Sequence, residues 1–147
     1  LIYIQKWGVK LLKLGYNIAP EQFHPSEMLQ QAITAEKAGF ESLSASDHFH
    51  PWSENGQACF TWSWLGAAAV STQSIELGPG LTCPILRYNP AIIAQAAATV
   101  SSLAGGRTFL AVGTGEALNE YPVTCEWPEY EERQMRMVEA IGLIREL

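Results

Sequence analysis

Four segments of this 147-residue sequence hold side chains that could move protons. Glu21 follows Ala19-Pro20, and Asp47-His48 opens the run Asp47-His48-Phe49-His50-Pro51-Trp52. Gly80-Leu81-Thr82-Cys83-Pro84 is a third such segment, and Gly113-Thr114-Gly115-Glu116-Ala117-Leu118-Asn119-Glu120 places carboxylates beside a glycine-rich turn. A neutral imidazole accepts a proton near pH 7, which the other side chains here do only with a large pKa shift. A carboxylate, an Asp-His pair, an exposed Trp and a second carboxylate around one mouth are raw material for proton transfer in an aromatic pocket. Each has a plainer use. Asp47-His48 could only brace a loop, Trp52 could cap a rim, and Gly113-Thr114-Gly115 is a weak phosphate-loop signal. Of Trp62 and Trp64, two apart on a helix, at most one is expected to line a site. The convergence of four segments outweighs its members.

Convergence requires elements that deliver all four segments to one face. Lys13–Ala19 reads as a strand closed by Pro20, and Pro25 opens a helix with Leu29, Ala32, Ile33 and Glu36 on one face and Gly39 as its cap. Ser42–Ser46 alternates as a second strand, followed by a polar and aromatic loop over 47–60 and an Ala-rich helix over 62–71. Ile75–Gly78 is a third strand, broken by Pro79 and Pro84. Asn89-Pro90 starts a third helix, lined by Ile92, Ala96, Thr99 and Leu103 and ended by Gly105-Gly106. Thr108–Gly113 is a near-continuous apolar strand of the kind buried on both faces. A glycine-containing loop then leads to Pro128 and a long helix with Tyr130, Gln134, Met137, Val138, Ile141 and Ile144 on one side.

Strand starts recur about every thirty residues, the length of a βαβ unit, and strict alternation implies a parallel sheet covered by helices. The first βα loop lacks the G-x-G-x-x-G of a dinucleotide-binding sheet, and the unusual residues follow several strands. Both points favour a parallel (β/α)8 barrel of the TIM type over an open sheet. About four of the eight βα units are present. No initiator Met begins the sequence, and Arg145-Glu146-Leu147 carries no helix-terminating Gly, Asn or Pro. The chain is therefore expected to be a fragment: an extension of unclear role over 1–12, then the N-terminal half of a barrel over 13–147.

Composition narrows the classes further. With 48% hydrophobic and 16% charged residues, the chain can build a core and is not of disordered type. A net charge of −6 with scattered basic residues argues against a nucleic-acid partner. Cys59, Cys83 and Cys125 are widely spaced and signal neither a zinc site nor a disulfide framework, so no metal is expected. No signal peptide or membrane span is legible, which makes a cytoplasmic protein the expectation.

The strings Ser46-Asp47-His48-Phe49-His50-Pro51-Trp52, Arg87-Tyr88-Asn89-Pro90-Ala91 and Val112-Gly113-Thr114-Gly115-Glu116-Ala117-Leu118-Asn119-Glu120 carry a resemblance. The sequence from about Lys13 to Leu147 resembles the N-terminal half of the F420-dependent glucose-6-phosphate dehydrogenase group, within the luciferase-like (β/α)8 oxidoreductases. The resemblance implies hydride transfer from a sugar phosphate or secondary alcohol to the deazaflavin of coenzyme F420. By position it makes His48 the general base, Trp52 the aromatic residue steadying developing charge, and Glu116 the acid serving the deazaflavin. Glu21 becomes a second pocket carboxylate, while Asp47, Gly80, Leu81, Cys83 and Asn119 are put at the cofactor. A non-proline cis peptide is common in the group at the position of Gly80-Leu81. Arg87 is a candidate for structural or cofactor-tail pairing. The full-length protein is expected to be a homodimer acting on a small molecule. Two alternatives stay open: an FMN-dependent luciferase-like monooxygenase or reductase, and a non-catalytic truncated fragment that self-associates.

Overall fold

The computed structural model describes residues 12–147, so the expected extension over 1–12 lies outside the described residues except for Leu12. The elements in order are β1 (Gly15–Ile18), α1 (Pro25–Lys37), β2 (Ser42–Ala45), α2 (Thr61–Ser71), β3 (Glu76–Pro79), α3 (Pro90–Leu103), α4 (Ala117–Thr124) and α5 (Tyr130–Glu146). The strands form a parallel sheet in the order β1-β2-β3, in register Gly15↔Ser42↔Glu76 through Ile18↔Ala45↔Pro79. Parallel neighbours need a crossover, and α1 and α2 supply it. The βα alternation expected from the sequence is confirmed.

Local chemistry explains where the helices begin and end. His24 caps α1: its ring accepts from Ser26 N while Glu27 accepts from His24 N at 2.9 Å, and Pro25 sits where a missing N–H costs nothing. Gly39, at φ +89°, closes that helix, and the next amide, Phe40 N, donates to Ala35 O at 3.1 Å. Asn89 caps α3 by accepting from Ala91 N at 2.9 Å, with Pro90 in its first turn.

Strand alternation sorts the two faces of the sheet. Ile18, Leu43, Ala45 and Leu77 are buried in one core with Met28, Ala32 and Ala35 of α1 and with Leu65 and Ala68 of α2. Each fully buried leucine contributes roughly 1.5–3 kcal/mol by transfer from water. The opposite face carries small or polar residues, Asn17, Ser44 and Gly78, and Ser44 Oγ donates to Asn17 Oδ1 at 2.7 Å.

Four expectations need correction. The fourth strand is reduced to two isolated parallel bridges, Leu77↔Thr108 and Thr82↔Val112, and its residues are only half-buried. Between the bridges the third segment advances five residues and the fourth only four, so one residue bulges out and the ladder cannot run on. The loop expected after it contains a short helix, α4, which keeps Pro122 inside. In α3 the buried residues are Ile93 and Val100, while Ile92 and Leu103 are exposed. A helix apolar on nearly every side gives periodicity nothing to choose between. In α5, Met137 and Ala140 are buried, whereas Val138 and Tyr130 are exposed.

Glu36 ties the end of α1 to the turn before β3. Its Oε1 accepts from Gln73 N at 2.8 Å, Ser74 N at 2.6 Å, Ile75 N at 3.0 Å and Ser74 Oγ at 3.1 Å. Partial burial pushes its pKa up, but these donors prevail and hold the carboxyl below its ordinary value of 4.5. A depressed folded-state pKa stabilises above the unfolded value, and that contribution is lost as pH falls through the folded one. Glu36→Ala is expected to cost about 1 kcal/mol, at the low end for a charged acceptor because solvent reaches the site. Thermal unfolding of both chains at neutral pH and well below 4.5 checks this, since the gap should shrink in acid. No helix among the described residues is long and apolar enough to cross a membrane.

Candidate active site

A cleft of about 420 Å³ opens where the strands end. Asp47 and His48 after β2 line it, with Gly80 to Cys83 after β3 and Gly113 to Glu116, Asn119 and Glu120 after the fourth segment. A parallel sheet puts the loops after its strands on one side, so the convergence expected from the sequence is met for these three segments. The Gly80–Leu81 peptide is cis. Gly115 has φ +85°, and a Cβ there would stand 2.8 Å from Cys83 Sγ, so this turn must be glycine to pack against the third loop.

His48 sits between two carboxylates. Its Nδ1 lies 2.7 Å from Glu21 Oε1, and its Nε2 lies 3.7 Å from Glu116 Oε2. The Glu21 side chain is wholly buried, that of Glu116 is 65% exposed, and the imidazole between them is one-fifth exposed. The Nδ1–Glu21 approach is close but misaligned for a hydrogen bond, leaving both Glu21 oxygens and Nδ1 without one in the protein. A buried carboxylate left this way is a candidate for function, because burial without partners is costly. Trp52 is exposed, and its ring stands 6.2 Å from the imidazole at 72°. It borders a neighbouring hollow with His50, Pro51 and Leu118 rather than the main cleft.

Behind the cleft lies a buried polar network. Asp47 Oδ2 accepts from Thr82 Oγ1 and its Oδ1 from Tyr88 Oη at 3.0 Å, while Trp62 Nε1 donates to Thr82 Oγ1 at 3.4 Å. Arg87 Nη2 donates to the Asp47 carbonyl oxygen and lies 3.6 Å from Oδ1. On its other side Arg87 Nε is 3.4 Å from Glu120 Oε2, without hydrogen-bond alignment, and Arg87 N donates to that same oxygen at 3.3 Å. Burial raises the Glu120 pKa above its ordinary value, against the pull of Arg87. Burial and the Asp47 charge likewise raise that of Tyr88. Burial pushes the Cys83 thiol to about 11, so it serves as a neutral wall group.

The structure thus brings together His48, Glu21, Glu116 and Asn119, and places Gly80, Leu81 and Cys83 in the cleft wall. Asp47 reaches the wall with both carboxylate oxygens already engaged by the protein. The sequence points to Arg87 only as a candidate for structural or cofactor-tail pairing, of which the structure shows the first, and it does not point to Tyr88, Thr82 or Glu120 as site residues. Arg87, Tyr88 and Glu120 stood inside the motif strings, but nothing in their spacing reports that they meet around Asp47. Among the described residues no group of His, Cys, Asp and Glu could hold a metal ion.

A parallel sheet with helices on its outer face and a polar cleft at the strand ends is part of a TIM-barrel-type α/β architecture. The chain belongs to the luciferase-like monooxygenase family, whose family model matches residues 11–147. An F420-dependent glucose-6-phosphate dehydrogenase of Mycolicibacterium smegmatis is 50% identical over 139 residues, which cover 92% of this chain and 41% of that relative. The solved structure of an F420-dependent secondary alcohol dehydrogenase in complex with an F420-acetone adduct superposes with TM-score 0.88 and 48% identity. That match covers 90% of this chain and 41% of the other. The coenzyme F420-dependent tetrahydromethanopterin reductase of Methanopyrus kandleri superposes with TM-score 0.63 and 30% identity over 76% of this chain and 29% of its own. The chain therefore spans well under half the length of these proteins.

Proposed function

We propose that this chain provides the half-site for proton movement in an F420-dependent oxidoreductase acting on a sugar phosphate or secondary alcohol. The observation that carries this is the placement of His48, with Nδ1 against buried Glu21 and Nε2 toward the cleft and Glu116. Coenzyme F420, when bound, supplies a deazaflavin ring that accepts a hydride. The residues present fit such a group. The cleft is large enough for part of a ligand and sets the apolar, exposed Leu81 beside Gly80 and Gly113, with His48, Glu116 and Asn119 among its polar lining. Gly80, Leu81, Cys83 and Asn119 would form its wall, with Asp47 behind.

The chain's own residues have distinct tasks in this reading. An alcohol that loses hydride must also lose its hydroxyl proton, and His48 Nε2 takes it. Glu21, beside Nδ1, favours the tautomer that leaves Nε2 free and stabilises the imidazolium that follows. Trp52 offers aromatic surface beside that charge. Glu116, open to the cleft, moves a proton at its carboxyl on the coenzyme side. Arg87 is held by Asp47 and Glu120, so any phosphate of the substrate must find other cations.

The test uses the protein at its full natural length. With coenzyme F420 and a panel of sugar phosphates and secondary alcohols, at least one substrate is expected to bleach the coenzyme's visible absorption. Loss of bleaching across the panel, together with FMN retained on purification, would replace this function with a flavin-dependent one.

A further inference from the structure

Asn119 joins the two segments that carry His48 and Glu116. It lies in the first turn of α4, is 2% exposed, and sits seventy residues from Phe49 in sequence. Its Oδ1 accepts from two consecutive amides, Phe49 N at 3.0 Å and His50 N at 3.1 Å. Its Nδ2 donates to Glu116 Oε2 at 3.1 Å. Chemistry forces this orientation of the amide. Two N–H groups need an acceptor and a carboxylate oxygen needs a donor, so a flipped amide would lose all three bonds.

We propose that Asn119 is a positioning residue with two separable tasks: its oxygen fixes the loop that carries His48, and its NH2 fixes Glu116. The 3.7 Å between His48 Nε2 and Glu116 Oε2 is then set by one side chain bonded to both segments. Phe49 N and His50 N directly follow His48, so holding them holds the imidazole's own backbone. Loops at strand ends are otherwise free to move, and a site about 1 Å too loose loses much of its rate. Why the separation matters rests on the function proposed above; the clamp itself does not.

Two variants divide the tasks. Asn119→Ala removes both halves of the amide. Asn119→Asp keeps an oxygen for the two amides but replaces the donor with a carboxylate that repels Glu116. Hydrogen exchange of the segment containing Phe49 and His50 should rise by about tenfold or more in Asn119→Ala and stay near wild type in Asn119→Asp. Exchange in α1 serves as the folding control. The His48 ring resonance, assigned through a His48→Gln variant, should move in both. In coenzyme turnover both variants should lose about 10- to 100-fold in kcat, with KM for the substrate that is oxidised changed by less than about threefold.

Unaltered exchange in Asn119→Ala overturns the clamp. Equal loss of protection in Asn119→Asp, with α1 intact, overturns the role of the oxygen. An unmoved His48 resonance, or full kcat in Asn119→Asp, overturns the role of the NH2. If the wild type reduces no coenzyme, the function falls while exchange and resonance still decide the clamp.

Discussion

His48→Ala in the full-length protein is expected to lower kcat for the proposed alcohol oxidation on the order of 10²–10⁴-fold, the usual worth of a placed general base, and to leave KM nearly unchanged. The imidazole is the group whose free nitrogen faces the cleft while its other nitrogen lies 2.7 Å from a carboxylate with no exposure. In the proposed reaction its removal leaves the hydroxyl proton without an acceptor, and it opens space against the buried Glu21 side chain. Stability is measured alongside, so that a loss of folding is not read as the loss of a base. Added imidazole should restore part of kcat by filling the vacated space. Steady-state kinetics over a range of pH decides the matter, and a variant retaining wild-type kcat would remove His48 from the mechanism.

Arg87→Met has the largest expected effect on stability, a loss of about 3–5 kcal/mol, because it takes the cation from two buried carboxylates at once. The Arg87 side chain is 7% exposed, and those of Asp47 and Glu120 are 1% and 2% exposed. Methionine fills much of the volume and answers neither charge. The loss should also depend on pH. Burial already raises the Glu120 pKa, so the stability tied to its protonated form is fully present below about 4.5 and is lost as pH rises through the folded value. Without Arg87 that folded value climbs further, and the decline with pH becomes longer. Denaturant unfolding just above pH 4.5 and again above neutrality should show a smaller gap in acid. Glu120→Gln in the same background should remove much of the pH dependence. A gap under about 1 kcal/mol at neutral pH would mean that solvent already screens the network. Arg87 also holds the Asp47 carbonyl, one residue before His48, so its loss should disturb catalysis as well.

Much of the fold could be read from the chain because local rules agreed with the global one. Pro25, Asn89-Pro90 and Gly39 mark helix ends through backbone constraints that hold in any surroundings. Alternation over Ser42–Ala45 found a strand for the same reason, since side-chain direction follows from the pleat. The reading failed where tertiary context decides. Thr108–Gly113 has the composition of a buried strand, yet the bulge before Thr82 breaks its pairing. The glycine-containing loop read before Pro128 holds the short helix α4, in which Pro122 removes one amide donor from the second turn without ending the helix. In α3, apolar residues on all sides hid that Ile93 rather than Ile92 faces inward.

The candidate site divides the same way. Sequence alone supplied the residue types, the order of strand and loop, and therefore the side of the sheet on which Asp47, His48, Gly80, Glu116 and Asn119 must emerge. That much follows from side-chain period and parallel topology, both properties of the backbone. Only the folded chain decided that Glu21 lies buried under Nδ1, that Asn119 spends its amide on two loops, and that Arg87 is enclosed by Asp47 and Glu120. Those pairings join residues tens of positions apart through contacts of about 3 Å. No local rule reaches that far, because such distances are set by how helices and loops pack.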